Sequence, residues 1–156
     1  MPKFSVSRHV GYTADQVYAI AADVASYRQF LPLLKRSEVF AETVDEGGIR
    51  SFDAELNVAY RKLSIDEFMQ SHVICNPKEN WVASSARNSG PIEHLEAKWV
   101  ITPEGKGSSI RLDIDYKLKS RSLQFLLSGM IDFVMRKIMT AFEERAAKLY
   151  GARASV

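Results

Sequence analysis

The chain has 156 residues, of which 46% are hydrophobic and 26% charged, with a formal net charge of +2. That length supports one domain around a single core, and the balance is that of a globular protein, which excludes a disordered or fibrous chain. So small a charge gives no reason to expect a DNA partner.

The first strand is expected over Lys3–Val10, where Phe4 and Val6 alternate with polar residues. Thr13 and Gln16 have the spacing of a capping box, so a short helix starts after Thr13 and carries Val17, Ile20, Ala21 and Val24. A second short helix, capped by Ser26, is expected to carry Tyr27, Phe30 and Leu31 and to stop before Pro32. Strands then follow at Arg36–Val44, Ile49–Tyr60, Lys62–Cys75, Asn80–Ala86, His94–Thr102 and Ser109–Leu118, separated by segments rich in Gly, Pro, Asn and Asp. The last strand alternates without a break, with Ile110, Leu112, Ile114, Tyr116 and Leu118 on one face and charged residues on the other. A long helix from about Ser122 to Tyr150 closes the chain, with Gly151 as its stop. Its expected core stripe is Leu123, Leu127, Met130, Val134, Ile138, Ala141, Phe142 and Leu149.

Seven antiparallel strands with one apolar face need a cover, and only one long helix is available. The expected fold is therefore α+β: a curved seven-stranded antiparallel sheet wrapped around a long C-terminal helix, with two short helices between strands 1 and 2, as one domain over residues 1–156. A sheet gripping a helix leaves room for a cavity. Its inward residues would be Phe52, Leu56, Val58, Trp81, Leu95, Trp99, Leu112, Ile114 and Tyr116, together with Leu127, Met130 and Val134 from the helix. The same stripes also read as plain core.

Catalytic and metal motifs are missing. His9, His72 and His94 lie far apart in sequence, and no nucleophile elbow, phosphate loop or dinucleotide fingerprint is present. Cys75 stands alone, which excludes an internal disulfide and fits a reducing compartment. Glu67 interrupts the hydrophobic side of its strand, a weak signal alone. A binding protein is expected rather than an enzyme, with no metal and no cofactor.

The stretch "SLQFLLSGMIDFVMRK" (Ser122–Lys137) is apolar nearly all round. Thirteen residues span ~20 Å as a helix, against a hydrocarbon core of ~30 Å, so it is too short to cross a bilayer. With no run of signal length near Met1 either, a cytoplasmic protein is expected. Phe125, Leu126 and Phe133 fall off the core stripe and need a partner, for which a membrane surface or a second copy of the chain is the natural choice. Basic residues flank them, including Lys117, Lys119, Arg121, Arg136 and Lys137.

Three stretches carry a family resemblance: "VASYRQFLPLLKRSEV" (Val24–Val39), "GPIEHLEAKWVITP" (Gly90–Pro103), and "DIDYKLKSRSLQFLLSGM" (Asp113–Met130) with "AFEERAAKLYG" (Ala141–Gly151). In this order they resemble the coenzyme Q-binding, polyketide cyclase-like branch of the START-like helix-grip superfamily. The resemblance implies a lipophilic ligand, ubiquinone or a related polyprenyl molecule, held without catalysis and delivered for respiration or quinone biosynthesis. It places Phe30, Pro32 and Leu33 at the pocket edge. Leu33 and Leu34 stand where many relatives have Trp-Cys, so the pocket edge differs here. Leu34, Phe125, Leu126, Phe133, Lys119 and Arg121 would then form a docking face, peripheral to the inner membrane. Two alternatives stay open: a ribosome-directed toxin that blocks subunit association, which needs a basic surface, and an aromatase/cyclase, which needs polar groups inside the pocket.

Overall fold

The computed structural model describes residues 3–151. Strand β1 (Lys3–Val10) is followed by α1 (Ala14–Ala22) and a 3-10 helix (Val24–Gln29). Strands β2 (Leu34–Val44), β3 (Arg50–Tyr60), β4 (Ile65–Asn76), β5 (Trp81–Ser89), β6 (Ile92–Glu104) and β7 (Gly107–Leu118) come next, and α2 (Arg121–Tyr150) ends the order. All seven strands form one antiparallel sheet in the order β1-β7-β6-β5-β4-β3-β2. This is the α+β helix-grip architecture expected from the pattern of elements.

Local chemistry sets the element ends. Thr13 caps α1: Gln16 N–H donates to Thr13 Oγ1 at 3.1 Å, and Thr13 N–H donates to Gln16 Oε1 at 3.0 Å. The second short helix departs from expectation. It is a 3-10 turn beginning at Val24 with no side-chain cap, and it ends before Phe30. Ser26 is therefore inside it rather than at its start. Ser120 caps α2 through Leu123 N–H, and Gly151, at φ 88°, ends it. Between β5 and β6 the chain reverses at Gly90, whose φ of 54° suits glycine. A Cβ there would lie 2.2 Å from the Phe68 carbonyl oxygen, so the turn packs directly on β4. Because that reversal is so tight, β5 and β6 run further than the turn-rich sequence indicates.

The space between sheet and α2 divides in two. At one end Trp99 of β6 stacks on Phe142 of α2, with ring centroids 4.1 Å apart. Tyr27 and Phe30 meet the same Phe142 ring edge-on. Val17, Ile20, Ala21 and Tyr27, from α1 and the 3-10 helix, seal this end. At the other end a smaller cluster forms around Met69, Ala86, Ile92, Tyr116 and Leu118.

The buried face of α2 corrects the expected stripe. Met135, Met139, Ala141, Phe142 and Ala146 are buried, whereas Leu123, Leu127, Met130, Val134 and Ile138 are only half-buried. Leu149 is 49% exposed. A step of four residues turns a helix ~40° past a full circle. A line through Leu127, Ile131, Met135 and Met139 therefore drifts around the axis, as a helix crossing a twisted sheet requires.

Candidate ligand cavity

The seven strands leave a gap at one end of the grip. The β4–β5 ladder runs from the His72–Ser85 pair to the Asn76–Trp81 pair. Beyond it, where β4 begins and β6 starts, lies a cavity of about 120 Å³ between the sheet and the first half of α2. Val58, Tyr60, Ile65, Glu67 and Met69 line it from β3 and β4, and Pro91, Ile92 and Leu118 from β6, its turn and β7. Leu33 and the α2 residues Leu123, Leu127, Met130 and Val134 complete the wall. No nitrogen or oxygen atom contributes to that wall. Leu33 holds a φ of 73°, and its carbonyl accepts from Ala59 N–H at 2.7 Å, which fixes this loop against β3.

Five expected pocket residues meet here: Leu33, Val58, Leu127, Met130 and Val134. The others lie elsewhere. Phe52, Trp99 and Leu112 are buried in the solid core. Tyr116 is buried beside the cavity, its hydroxyl 3.0 Å from Ser128 Oγ on α2. Leu56, Leu95 and Ile114 pack half-buried against the small cluster. Phe30 and Pro32 line a separate surface cleft with Phe133 and Arg136. Trp81 is on the opposite face of the sheet. Lys98 Nζ sits 4.7 Å from its ring, and its Nε1–H donates to Glu79 Oε2 at 3.0 Å. The strand's inward residues, Val82, Ser84 and Ala86, are small, so no bulky alternation marked its face. Tyr60, Ile65, Met69, Pro91 and Ile92 were not singled out from the sequence. What unites them is a position at one end of the sheet, which sequence spacing does not encode.

The same half of α2 turns a second apolar face outward. Phe125 is 80% exposed, Phe133 56% and Leu126 44%. At ~100° per residue these three fall within an arc of ~100°. Leu34 does not join them, since it is half-buried against the core. Lys119 and Arg121 are exposed and carry no ion pair in the described structure, whereas Lys117 pairs with Glu93 at 3.0 Å and Arg136 with Asp132 at 2.9 Å. Lys137 lies over the Phe133 ring. The basic rim is thus partly neutralised.

A larger concavity, about 650 Å³, lies on the sheet face turned away from α2 and includes Lys3, His72, Glu96, Lys98, Asp113 and Asp115. Several of these charges already engage neighbours: Ser5 Oγ donates to Asp113 at 2.5 Å, Arg111 pairs with Asp113, and His72 lies 3.0 Å from Asp53. Its open, mixed-charge lining does not suit a lipophilic ligand. Cys75 is fully buried, and burial pushes its thiol up to about 11, which leaves it protonated and inert at neutral pH. Among the described residues no group of three or more His, Cys, Asp and Glu is placed to hold a metal ion, and no helix is long and apolar enough to cross a membrane.

The cavity wall is apolar, and at about 120 Å³ the space is small. Among the described residues that line it, the polar side chains are Tyr60 and Glu67, which make no nucleophile–base pair. Comparisons with known proteins agree with the fold. The chain is 26% identical over 151 residues to the ribosome association toxin RatA of Rickettsia prowazekii, covering 96% of this chain and 99% of that one. It is 29% identical over 153 residues to the mitochondrial coenzyme Q-binding protein COQ10 homolog B of Xenopus laevis, where it spans 96% of its own length and 59% of the relative's. The solution structure of an 18 kDa protein from Caulobacter crescentus superposes with a TM-score of 0.82 at 27% identity, covering 97% of this chain and all of that one. Residues 10–143 match the family of polyketide cyclases, dehydrases and lipid-transport proteins, and the chain belongs to that family.

Proposed function

We propose that the protein binds a lipophilic quinone, a ubiquinone-like polyprenyl molecule, and carries it to and from a membrane without transforming it. The observation that carries this reading is the dual role of Leu123–Val134. One side of this helical stretch walls an apolar cavity, and another presents Phe125, Leu126 and Phe133 to solvent beside two unpaired cations. A ligand could leave the cavity directly into a bilayer on which that face rests. The similarity to a coenzyme Q-binding protein supports the same ligand class. Purification from a quinone-rich membrane host, organic extraction and mass spectrometry test it. Co-purified quinone is expected, and an empty protein that also ignores liposomes would sink the reading.

The similarity to RatA, along the whole of that chain, favours a second reading: a ribosome-directed toxin. It requires a strong basic surface, and two of the five candidate cations are already paired. Ribosome sedimentation after overexpression separates the two, since loss of assembled ribosomes supports the toxin. A cyclase activity would need polar groups inside the cavity, and the atoms that face its interior are apolar, with Glu67 exposed at the rim.

A further inference from the structure

The cavity holds one charged side chain, Glu67, opposite Val58 in the β3–β4 ladder. Glu67 is exposed and the wall is wholly apolar, so its methylenes lie against the cavity while the carboxylate stands at the rim. The backbone beneath it is pinned. The buried Asn57 amide donates to the Glu67 carbonyl oxygen at 3.2 Å and to Asp66 Oδ1 at 3.0 Å, and Lys35 pairs with Asp66. Asp66 is therefore engaged, whereas the Glu67 carboxylate has neither an ion pair nor a hydrogen bond in the described structure. A free carboxylate at the mouth of an apolar cavity is placed to meet the head group that a bound tail leaves outside.

An ionised carboxylate only accepts hydrogen bonds. The oxidised quinone ring has only acceptors, its carbonyl and ether oxygens, so it meets the carboxylate oxygen to oxygen. The reduced ring carries two hydroxyls, each a donor. Tyr60 both donates and accepts, so it favours neither form. Resting on the quinone-carrier reading, we propose that Glu67 makes the site selective for the quinol, so that the protein carries the reduced form of its ligand. The protein transfers no electrons in this scheme; it binds one member of a couple made elsewhere.

Hydrogen bonds to charged groups are stronger than neutral ones, and at this exposed rim the lower end of their range applies, about tenfold in affinity. Tenfold tighter binding of the quinol raises the potential of the bound two-electron couple by about 30 mV. The test is anaerobic titration of the full chain with decylubiquinone, decylubiquinol and the quinol's dimethyl ether, which has the tail and ring but no donors. Decylubiquinol is expected to bind about tenfold tighter than the other two. In Glu67→Leu that ratio should collapse toward one while the decyl tail still binds, with an unchanged circular dichroism spectrum showing an intact fold. Equal binding of all three to the native chain, or an unchanged ratio in Glu67→Leu, would overturn the selectivity and leave the carrier reading intact. If no decyl probe binds at all, the carrier reading fails and the selectivity falls with it.

Discussion

Replacing Phe125 by aspartate should release the protein from membranes without unfolding it. Phe125 is 80% exposed. An aromatic side chain presents about 200 Å², so about 160 Å² is free to leave water, worth about 4 kcal/mol at ~25 cal/mol per Å² if wholly seated in lipid. Docking at the headgroup boundary removes about half of that, so Phe125→Asp should weaken binding by about 2 kcal/mol, or about thirtyfold. The fold should barely respond, since an exposed substitution shifts stability by about 0.5 kcal/mol or less. An acidic residue in the second turn of α2 also sits near the favourable end of the helix dipole. Sedimentation with vesicles containing anionic lipid gives the partition, and the melting temperature should move by about 2 °C or less. Added salt should weaken the native protein's binding through Lys119 and Arg121. Two results would refute the reasoning. Unchanged vesicle binding would show that this face does not dock. A melting temperature lowered by ~5 °C or more would show that Phe125 belongs to the fold.

Phe142→Ala removes the partner of Trp99 and the ring that Tyr27 and Phe30 meet, and should cost about 3–5 kcal/mol in urea unfolding. Gly129→Ala should stabilise by about 0.5–1 kcal/mol in the same assay, because Gly129 is helical and a Cβ there meets open space. Gly90→Ala should destabilise by about 1–3 kcal/mol, since the new methyl collides with the Phe68 carbonyl in a left-handed turn. Cys75 gives an alkaline signature. Its thiol rises from an ordinary 9.0 to about 11 on burial, so the unfolded chain loses its proton first and stability falls as pH rises through that window. The loss is on the order of 2–3 kcal/mol, and Cys75→Ala should flatten that part of the slope.

The fold was legible where one residue type dominates a position. Thr13 and Gln16 announce α1 because a capping box needs both residues at that spacing. The face of β7 was plain because Ile110, Leu112, Ile114 and Tyr116 are all large. Strand β5 hid its face: Val82, Ser84 and Ala86 point inward, and the bulky Trp81 points out to meet Lys98. The drift of α2 across the sheet was equally hidden. Twist decides whether Val134 or Met135 lies deepest, and both are apolar. The cavity was half legible. Alternation shows which residues face inward, but not which of them α1 and the 3-10 helix press into solid core. That depends on where Val17, Ile20 and Tyr27 land, a three-dimensional fact with no counterpart in spacing.

A volume of about 120 Å³ is below the ~300–1,000 Å³ of typical small-ligand sites, so a polyprenyl tail enters only if the wall moves. The softest part of the grip is where that movement is needed. Met69 and Met130, unbranched and readily repacked, line the cavity. The inward residues of α2 from Leu123 to Val134 are only half-buried, whereas Met135, Met139 and Phe142 are locked in the core. Gly129 lies in the loose half, and two polar links hold that half to β7: Tyr116 to Ser128, and Leu118 N–H to Gln124 Oε1 at 2.7 Å. Widening the cavity thus costs two part-buried hydrogen bonds and some half-buried contacts, while the Trp99–Phe142 stack stays shut. If the exposed face of this half rests in lipid, the movement that admits a ligand takes place at the bilayer surface, where the ligand is found.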